Sequence, residues 1–216
     1  MKFLVITDLH QKGSRIPWIN SVIHEENPDC TLFLGDVTDM GTSEDAIELL
    51  SSIDSEIYVL PGNCDPRDMP SKISSVAVDM HGKSTEIDGY YIAGLGGSNP
   101  TIFDTPFELE EDVLESMLRP ISKKGMILMT HAPAFGTLDR IPSGVHVGSH
   151  AIRKILDDYH PVLALSGHIH EDMGTMTVGS TLCINPGPAR DGRCAIIDMA
   201  GGRPDVRMIT ASDLPL

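Results

Sequence analysis

The first sixty residues alternate between short apolar runs and amphipathic segments, and this alternation restricts the fold more than any other feature. The runs at 2–7, 30–35 and 56–62 predict buried strands. The segments at 15–27 and 43–53 lie between them and carry apolar residues at helical spacing. A β-α-β-α-β order implies a parallel sheet with right-handed crossovers. We therefore predict an α/β fold.

The rest of the chain continues this organisation with more antiparallel structure. Residues 83–97 hold two strand patterns around Asp88-Gly89, which is a hairpin signal. Further patterns predict helices at 108–119 and 148–160, strands at 125–131 and 161–170, and four short strands within 173–209. We expect Ser43 and Ser149 to cap their helices. No repeat or linker divides the chain, so we expect a single domain over 1–216, with two sheets flanked by helices.

Composition restricts the partners and the setting. The net charge of −15 disfavours nucleic acid and anionic membranes, although bound cations can reverse the local sign at a site. The four cysteines are scattered, which does not suggest a disulfide framework. The N-terminal apolar run is too short for a signal peptide, and no apolar run has the length of a membrane span. We expect a cytoplasmic protein that is not membrane-bound.

Polar side chains of the kinds that bind metals follow five of the predicted strands. The candidates are Asp8, His10, Asp36, Asn63, His131, His168 and His170. Ligands bind beyond the carboxyl ends of strands in open α/β sheets, and residues two apart in a strand point the same way. Glycines at 35, 62 and 167 would leave room for close approach.

Seven candidate ligands exceed what one tetrahedral ion needs, and they suit two ions that share a carboxylate. Imidazole with carboxylate favours transition metals over Ca²⁺ or Mg²⁺. We expect two divalent ions, with Mn first and Fe, Zn, Ni or Co as alternatives.

The blocks "DLH", "GDVTD", "GNCD", "TH" and "GHIH", in this order, resemble the signature of the calcineurin-like metallophosphoesterases. Further stretches, "GGSNPTIFDTPFE" and "INPGPARDGRCAIID" among them, resemble a prokaryotic subgroup of predicted phosphoesterases related to the Icc cyclic-AMP phosphodiesterase. The resemblance implies a four-layer α/β/β/α sandwich. It also implies one ion held by Asp8, His10, Asp36 and His170, and a second held by Asp36, Asn63, His131 and His168.

This chemistry would be hydrolysis of a phosphate ester by a hydroxide activated between two metal ions. Much of the family has Gly-Asn-His in the third block, and that His is taken as the acid for the leaving group. Cys64 occupies the position here, and a thiol donates a proton poorly at neutral pH. Either another group such as His146 serves as acid, or the leaving group needs little help, or turnover is slow. Asp65 is expected to orient its neighbours.

Several readings of the substrate remain open. We expect a small phosphorylated substrate, a diester before a monoester, with Asn63, Asn99 and Arg67 as candidate binding residues. "GLGGSN" imitates a dinucleotide loop, but no helix is predicted to open after it. The alternatives are a non-catalytic interaction scaffold of the same fold and, less favoured by the charge, a nuclease. A homo-oligomer is a weak expectation.

Overall fold

Two mixed sheets of six strands each form the centre of the computed structural model, which describes residues 1–213. The strands in chain order are β1 (Lys2–Ile6), β2 (Cys30–Phe33), β3 (Ile57–Val59), β4 (Val78–Asp79), β5 (Lys83–Ile87), β6 (Tyr90–Leu95), β7 (Ile127–Thr130), β8 (Leu163–Leu165), β9 (Gly174–Val178), β10 (Thr181–Asn185), β11 (Arg193–Asp198) and β12 (Asp205–Thr210). The helices are α1 (Ile16–Glu26), α2 (Ser43–Ser51), α3 (Met69–Lys72), α4 (Glu111–Leu118) and α5 (His150–Tyr159).

The first sheet has the order β12-β11-β1-β2-β3-β4. Strands β1 to β4 are parallel, as the alternating pattern predicts, with Phe3 opposite Cys30 and Thr31 opposite Ile57. The two last strands of the chain add to the free side of β1 in antiparallel fashion. This places the carboxyl ends of β1, β2 and β3 side by side at one edge.

The second sheet has the order β5-β6-β7-β8-β10-β9. Strands β6, β7, β8 and β10 are parallel, and the hairpins β5-β6 and β9-β10 close the two sides. Asp88 and Gly89 both have positive φ, 48° and 80°, as a two-residue hairpin turn of type I′ requires. The predicted hairpin and the four-strand tail are confirmed.

Alternate side chains of β1 enter different cores, which defines the layers. Phe3 and Val5 pack between the sheets, against Ile127 of the second sheet among others. Leu4 and Ile6 face the other way and pack against α1 and α2. A third apolar cluster joins the second sheet to α4 and α5. The order of layers is α/β/β/α, as the resemblance implied.

Two local predictions need correction, and two short elements were not predicted. Ser43 is not the cap of α2: Thr42 accepts from the Asp45 amide and Asp45 accepts from the Thr42 amide, which makes a capping box one residue earlier. The helix predicted at 108–119 begins only at Glu111, because Glu108 is used by the preceding loop. The short elements β4 and α3 had no sequence signal of sufficient length. Among the described residues, no helix is long and apolar enough to span a bilayer.

Candidate metal centre

The carboxyl ends of five strands, three from the first sheet and two from the second, meet at one edge of the sandwich. Asp8 and His10 follow β1, Asp36 follows β2, and Asn63 follows β3. The second sheet contributes His131 directly after β7, and then the pair that follows β8, His168 and His170. The structure therefore brings all seven predicted ligands to the same end of the strands.

Four of these side chains form one group. His170 Nε2 lies 3.2 Å from Asp8 Oδ1 and 3.4 Å from His10 Nε2. His10 Nε2 is in turn 3.5 Å from Asp36 Oδ2. Three of the residues, Asp8, His10 and His170, offer ligand atoms within 4.8 Å of one another. This is a suitable donor set for one divalent ion.

A second group shares Asp36 with the first. His131 Nε2 lies 3.5 Å from Asp36 Oδ2 and 2.9 Å from Asn63 Oδ1. The ring of His168 is 5.0 Å from that of His131, centroid to centroid. The same carboxylate oxygen, Asp36 Oδ2, is thus 3.5 Å from a nitrogen of either group.

The surroundings of His131 favour a positive charge at its Nε2, carried by a proton or by a bound cation. Its Nδ1 donates to the Leu34 carbonyl at 2.8 Å, so in the neutral ring Nε2 would present a lone pair to Asn63 Oδ1 and Asp36 Oδ2. Three acceptors that converge without a donor repel one another unless a proton or a cation lies among them. Burial lowers the pKa of His131, but the carboxylates of Asp36 and Asp8 outweigh it and raise that pKa to about 9.

Buried polar atoms without hydrogen-bond partners give a second test of whether these residues fit a metal ion. Asp8 Oδ1 and His10 Nδ1 are buried and make no hydrogen bond. An unpaired buried carboxylate oxygen is costly, and coordination to a cation removes that cost. The donor set of imidazole, carboxylate and amide oxygen therefore fits divalent transition metals.

The pKa values of the buried carboxyl and imidazole groups are shifted by burial and by one another's charges. Burial raises the pKa of Asp8, but the imidazoles of His170, His131 and His10 outweigh burial and lower it. Asp36 likewise has a lowered pKa, since His131 and His10 outweigh both burial and the charge of Asp8. Burial, with His131 nearby, lowers the pKa of His168 to about 4. The edge thus holds two buried carboxylates and attracts cations.

The backbone at this edge adopts conformations that side-chain-bearing residues rarely use. Asp8, His10, Asp36 and His168 have φ of 55°, 47°, 51° and 67°. Left-handed residues are costly, and they cluster at functional sites because the surrounding structure holds them there. Four of the seven predicted ligands are therefore aimed by turns that the chain adopts at some energetic cost.

Glycines permit the loops to approach so closely. A Cβ on residue 62 would lie 2.0 Å from Asp36 Oδ1, and one on residue 167 would lie 2.0 Å from Thr7 Oγ1 and 2.7 Å from Asp8 Oδ2. The predicted requirement for glycine at these positions has a direct steric reason.

Asp65 braces two of the strand-end loops. Its buried carboxylate accepts hydrogen bonds from the amides of Val37, Thr38 and Gly62 and from the Thr38 hydroxyl. Burial and the charge of Asp36 raise the pKa of Asp65 to about 6. Its contacts tie the loop after β2 to the loop after β3.

Cys64 lies at the centre, where its amide donates to Asp36 Oδ1 at 2.8 Å. Its sulfur is within 4.8 Å of ligand atoms of His10 and Asp36. Burial, followed by the charge of Asp36, raises the pKa of the thiol well above its ordinary range. A neutral thiol of this kind is a poor proton donor.

His146, the other candidate acid, has a carboxylate partner. Its Nδ1 lies 2.5 Å from Oδ1 of the fully buried Asp139, whose other oxygen accepts from the amides of Gly136 and Gly148. The His146 side chain contacts Asp139 and Phe135, which lie outside the two groups of candidate ligands. No sequence motif indicated that Asp139 would hydrogen-bond to His146.

The two other candidate substrate residues have defined positions. Asn99 donates to the Val147 carbonyl at 3.2 Å and lines a pocket beside His168. Arg67 donates to the carbonyls of Pro106 and Glu108, so its guanidinium holds a loop in place. The amino end of α5 is filled by the Glu111 carboxylate, which accepts from the Ser149 hydroxyl and the amides of His150 and Ala151. Ser149 caps this helix as predicted.

Two residues that sequence reasoning missed hold Asn63. Asn63 Nδ2 donates to Thr105 Oγ1 at 3.0 Å, and Thr105 Oγ1 donates to Glu108 Oε1 at 2.7 Å. The structure also places Arg190 beside the site, with its Nη2 3.2 Å from His170 Nδ1. Thr105 lies 42 residues from Asn63 and in no block, so only the fold connects them.

These features define a metallophosphoesterase, and the chain belongs to the calcineurin-like phosphoesterase family, which it matches over residues 1–172. It is therefore a hydrolase of a family that uses divalent metal ions. It is 33% identical over 197 residues to an uncharacterized protein of Methanocaldococcus jannaschii, covering 87% of this chain and 88% of that protein.

Another relative is a probable glycerophosphodiester phosphodiesterase of Arcobacter nitrofigilis, 26% identical over 186 residues, or 73% of this chain and 63% of that protein. Among solved structures, an archaeal phosphodiesterase superposes with a TM-score of 0.60 at 17% identity, over 97% of this chain and 99% of that one. This structural likeness supports the fold.

Proposed function

We propose that this chain is a phosphodiesterase in which Asp36 is shared by two divalent transition-metal ions, with manganese the first to test. The observation that carries the proposal is the position of Asp36 Oδ2, 3.5 Å from His10 Nε2 and 3.5 Å from His131 Nε2. A carboxylate between two imidazole groups is suited to bridge two ions.

The ligand sets follow from the two groups of side chains. One ion would take Asp8, His10, Asp36 and His170, and the other would take Asp36, Asn63, His131 and His168. When bound, such ions supply Lewis acidity toward a phosphoryl oxygen and lower the pKa of a water molecule. Cations held at this edge would make the local charge favourable for an anionic substrate, despite the net charge of −15.

The chain's own residues would orient the substrate and move a proton. Arg190, beside His170, is placed to add positive charge near a phosphate. His146 is the proposed proton donor to the leaving oxygen: Asp139 holds its Nδ1, which leaves Nε2 as the nitrogen that exchanges a proton. Cys64 contributes little to proton donation, because its thiol is neutral and weakly acidic.

A diester is preferred to a monoester as the substrate. The relative from Arcobacter nitrofigilis carries the name of a phosphodiester enzyme, and its 26% identity supports a common substrate class. Monoester hydrolysis is the close alternative, since the same metal edge can perform it.

The test compares bis-p-nitrophenyl phosphate with p-nitrophenyl phosphate, with added Mn²⁺ and with chelator. We expect chelator-sensitive turnover, with the higher kcat/KM for the diester. Asp36→Asn should abolish turnover and reduce bound metal, whereas Asp157→Asn, on the exposed side of α5, should change neither. Two metal peaks adjoining Asp36 in an anomalous scattering map would support the proposed pair of ions. Stable protein that turns over neither ester, at any metal concentration, would instead favour an interaction scaffold.

A further inference from the structure

A pocket of about 300 Å³ opens beside the candidate metal centre, and His168 and Ile169 form part of its wall. The rest of the wall comes from two loops. They contribute Asn99, Pro100, Thr101, Ile102, Phe103, Ile141 and Val147. Since His168 belongs both to this wall and to the proposed ligand set, a group bound here would adjoin the reacting phosphate.

The lining of the pocket is apolar and carries no countercharge. Ile102, Phe103, Ile141 and Val147 are among its apolar lining residues, and none of the described lining residues is a lysine or arginine. A second phosphate or a carboxylate would lose hydration there without gaining a partner. An alkyl or aryl group would remove apolar surface from water.

The loop that carries Ile102 and Phe103 is held by hydrogen bonds, although its apolar side chains remain in water. Ile102 is 94% exposed and Phe103 is 73% exposed. The carboxylate of Glu108 accepts from the amides and hydroxyls of Thr101 and Thr105, and the Phe103 amide donates to Thr101 Oγ1. A loop fixed in this way presents its apolar groups at little cost in ordering when a ligand covers them.

We infer that this pocket binds an apolar alkyl or aryl ester group of the substrate, and that Ile102 and Phe103 determine that specificity. The inference rests on the proposed phosphodiesterase function and narrows its substrate class. Esters whose second substituent is extended and apolar are favoured over esters that end in a charged group.

The experiment uses p-nitrophenyl alkyl phosphodiesters from methyl to hexyl, which keep the leaving group constant, with the manganese-loaded protein. We expect kcat/KM to rise about fourfold for each added methylene until the pocket is filled. A butyl-length ester that ends in a carboxylate should fall back to the value for the methyl ester. Phe103→Ser and Ile102→Ser should flatten the series, so that the ratio of kcat/KM for the hexyl ester to that for the methyl ester falls toward one. Met176→Ser, at an exposed position of β9, is the matched control and should leave the series unchanged.

A second measurement separates this inference from the proposed function. Calorimetric titration of hexylphosphonate and methylphosphonate into the manganese-loaded protein needs no turnover. We expect the hexyl compound to bind at least tenfold more tightly, and Phe103→Ser to remove the difference. Equal binding of the two phosphonates, or a flat series in the unmodified protein, would overturn the inference. Absence of hydrolysis with tighter hexyl binding would reject the function and keep the pocket.

Discussion

The hydroxyl of Thr105 sets the orientation of the Asn63 amide, so removing it should weaken metal binding. Glu108 only accepts, so Thr105 Oγ1 must donate to it and can accept only from Asn63 Nδ2. Asn63 Oδ1 is then directed at His131. In Thr105→Val an N–H of Asn63, which is 4% exposed, would lack a partner at a cost of about 1–3 kcal/mol. If this free energy is lost from the amide orientation that binds metal, the affinity for one metal ion drops about 5- to 150-fold.

The assay is calorimetric titration of Mn²⁺ into metal-stripped protein, with thermal unfolding measured in parallel. Thr105→Ser keeps the hydroxyl and should bind both ions normally. Thr101→Val is the matched control, because Thr101 Oγ1 donates to the same Glu108 oxygen at 2.6 Å without touching Asn63. Normal Mn²⁺ affinity in Thr105→Val, or an equal loss in Thr101→Val, would refute the reasoning.

Three other changes test separate parts of the structure. His146→Asn should lower kcat about 100-fold for substrates with an alkyl leaving group, but less than threefold for those that release nitrophenolate. Cys64→Ala should change kcat by less than threefold for both kinds of substrate. A larger loss in Cys64→Ala than in His146→Asn would instead identify the thiol as the general acid. Gly167→Ala should abolish metal binding, measured as bound manganese, because the new methyl group would lie 2.0 Å from Thr7 Oγ1. In the control Gly201→Ala the methyl group would meet no atom within 4 Å, so this variant should bind manganese normally. Glu111→Gln should destabilise the protein by about 0.5–2 kcal/mol in urea unfolding, because the amino end of α5 loses its carboxylate; an unchanged midpoint would contradict this.

The proposed chemistry explains how an acidic protein could process an anionic ester. Asp8 and Asp36 are buried at the strand ends and hold lowered pKa values, so they remain charged at neutral pH. Their negative charge favours cations, and the cations in turn favour phosphate. The scaffold alternative has no comparable reason to keep buried carboxylates and left-handed turns at one edge.

The sequence alone determined the layered α/β fold and the candidate ligands. Alternation of apolar and amphipathic segments is a local property, and the candidate ligands lie in the turns that follow the ends of five strands. Asp8 and His10, for example, could be recognised because they follow a predicted buried strand, although left-handed turns and not an extended chain aim them at the site. Cys64 was visible as a departure within an otherwise matching block.

The tertiary structure decided which distant residues support those ligands. Thr105 reaches Asn63, 42 residues away in the chain, through a loop whose path depends on how the two sheets pack. The apolar wall of Ile102 and Phe103 likewise becomes a pocket only when a second loop faces it. Hydrogen bonds and cavities depend on distances of a few ångströms between segments remote in the chain, and no local periodicity encodes such distances.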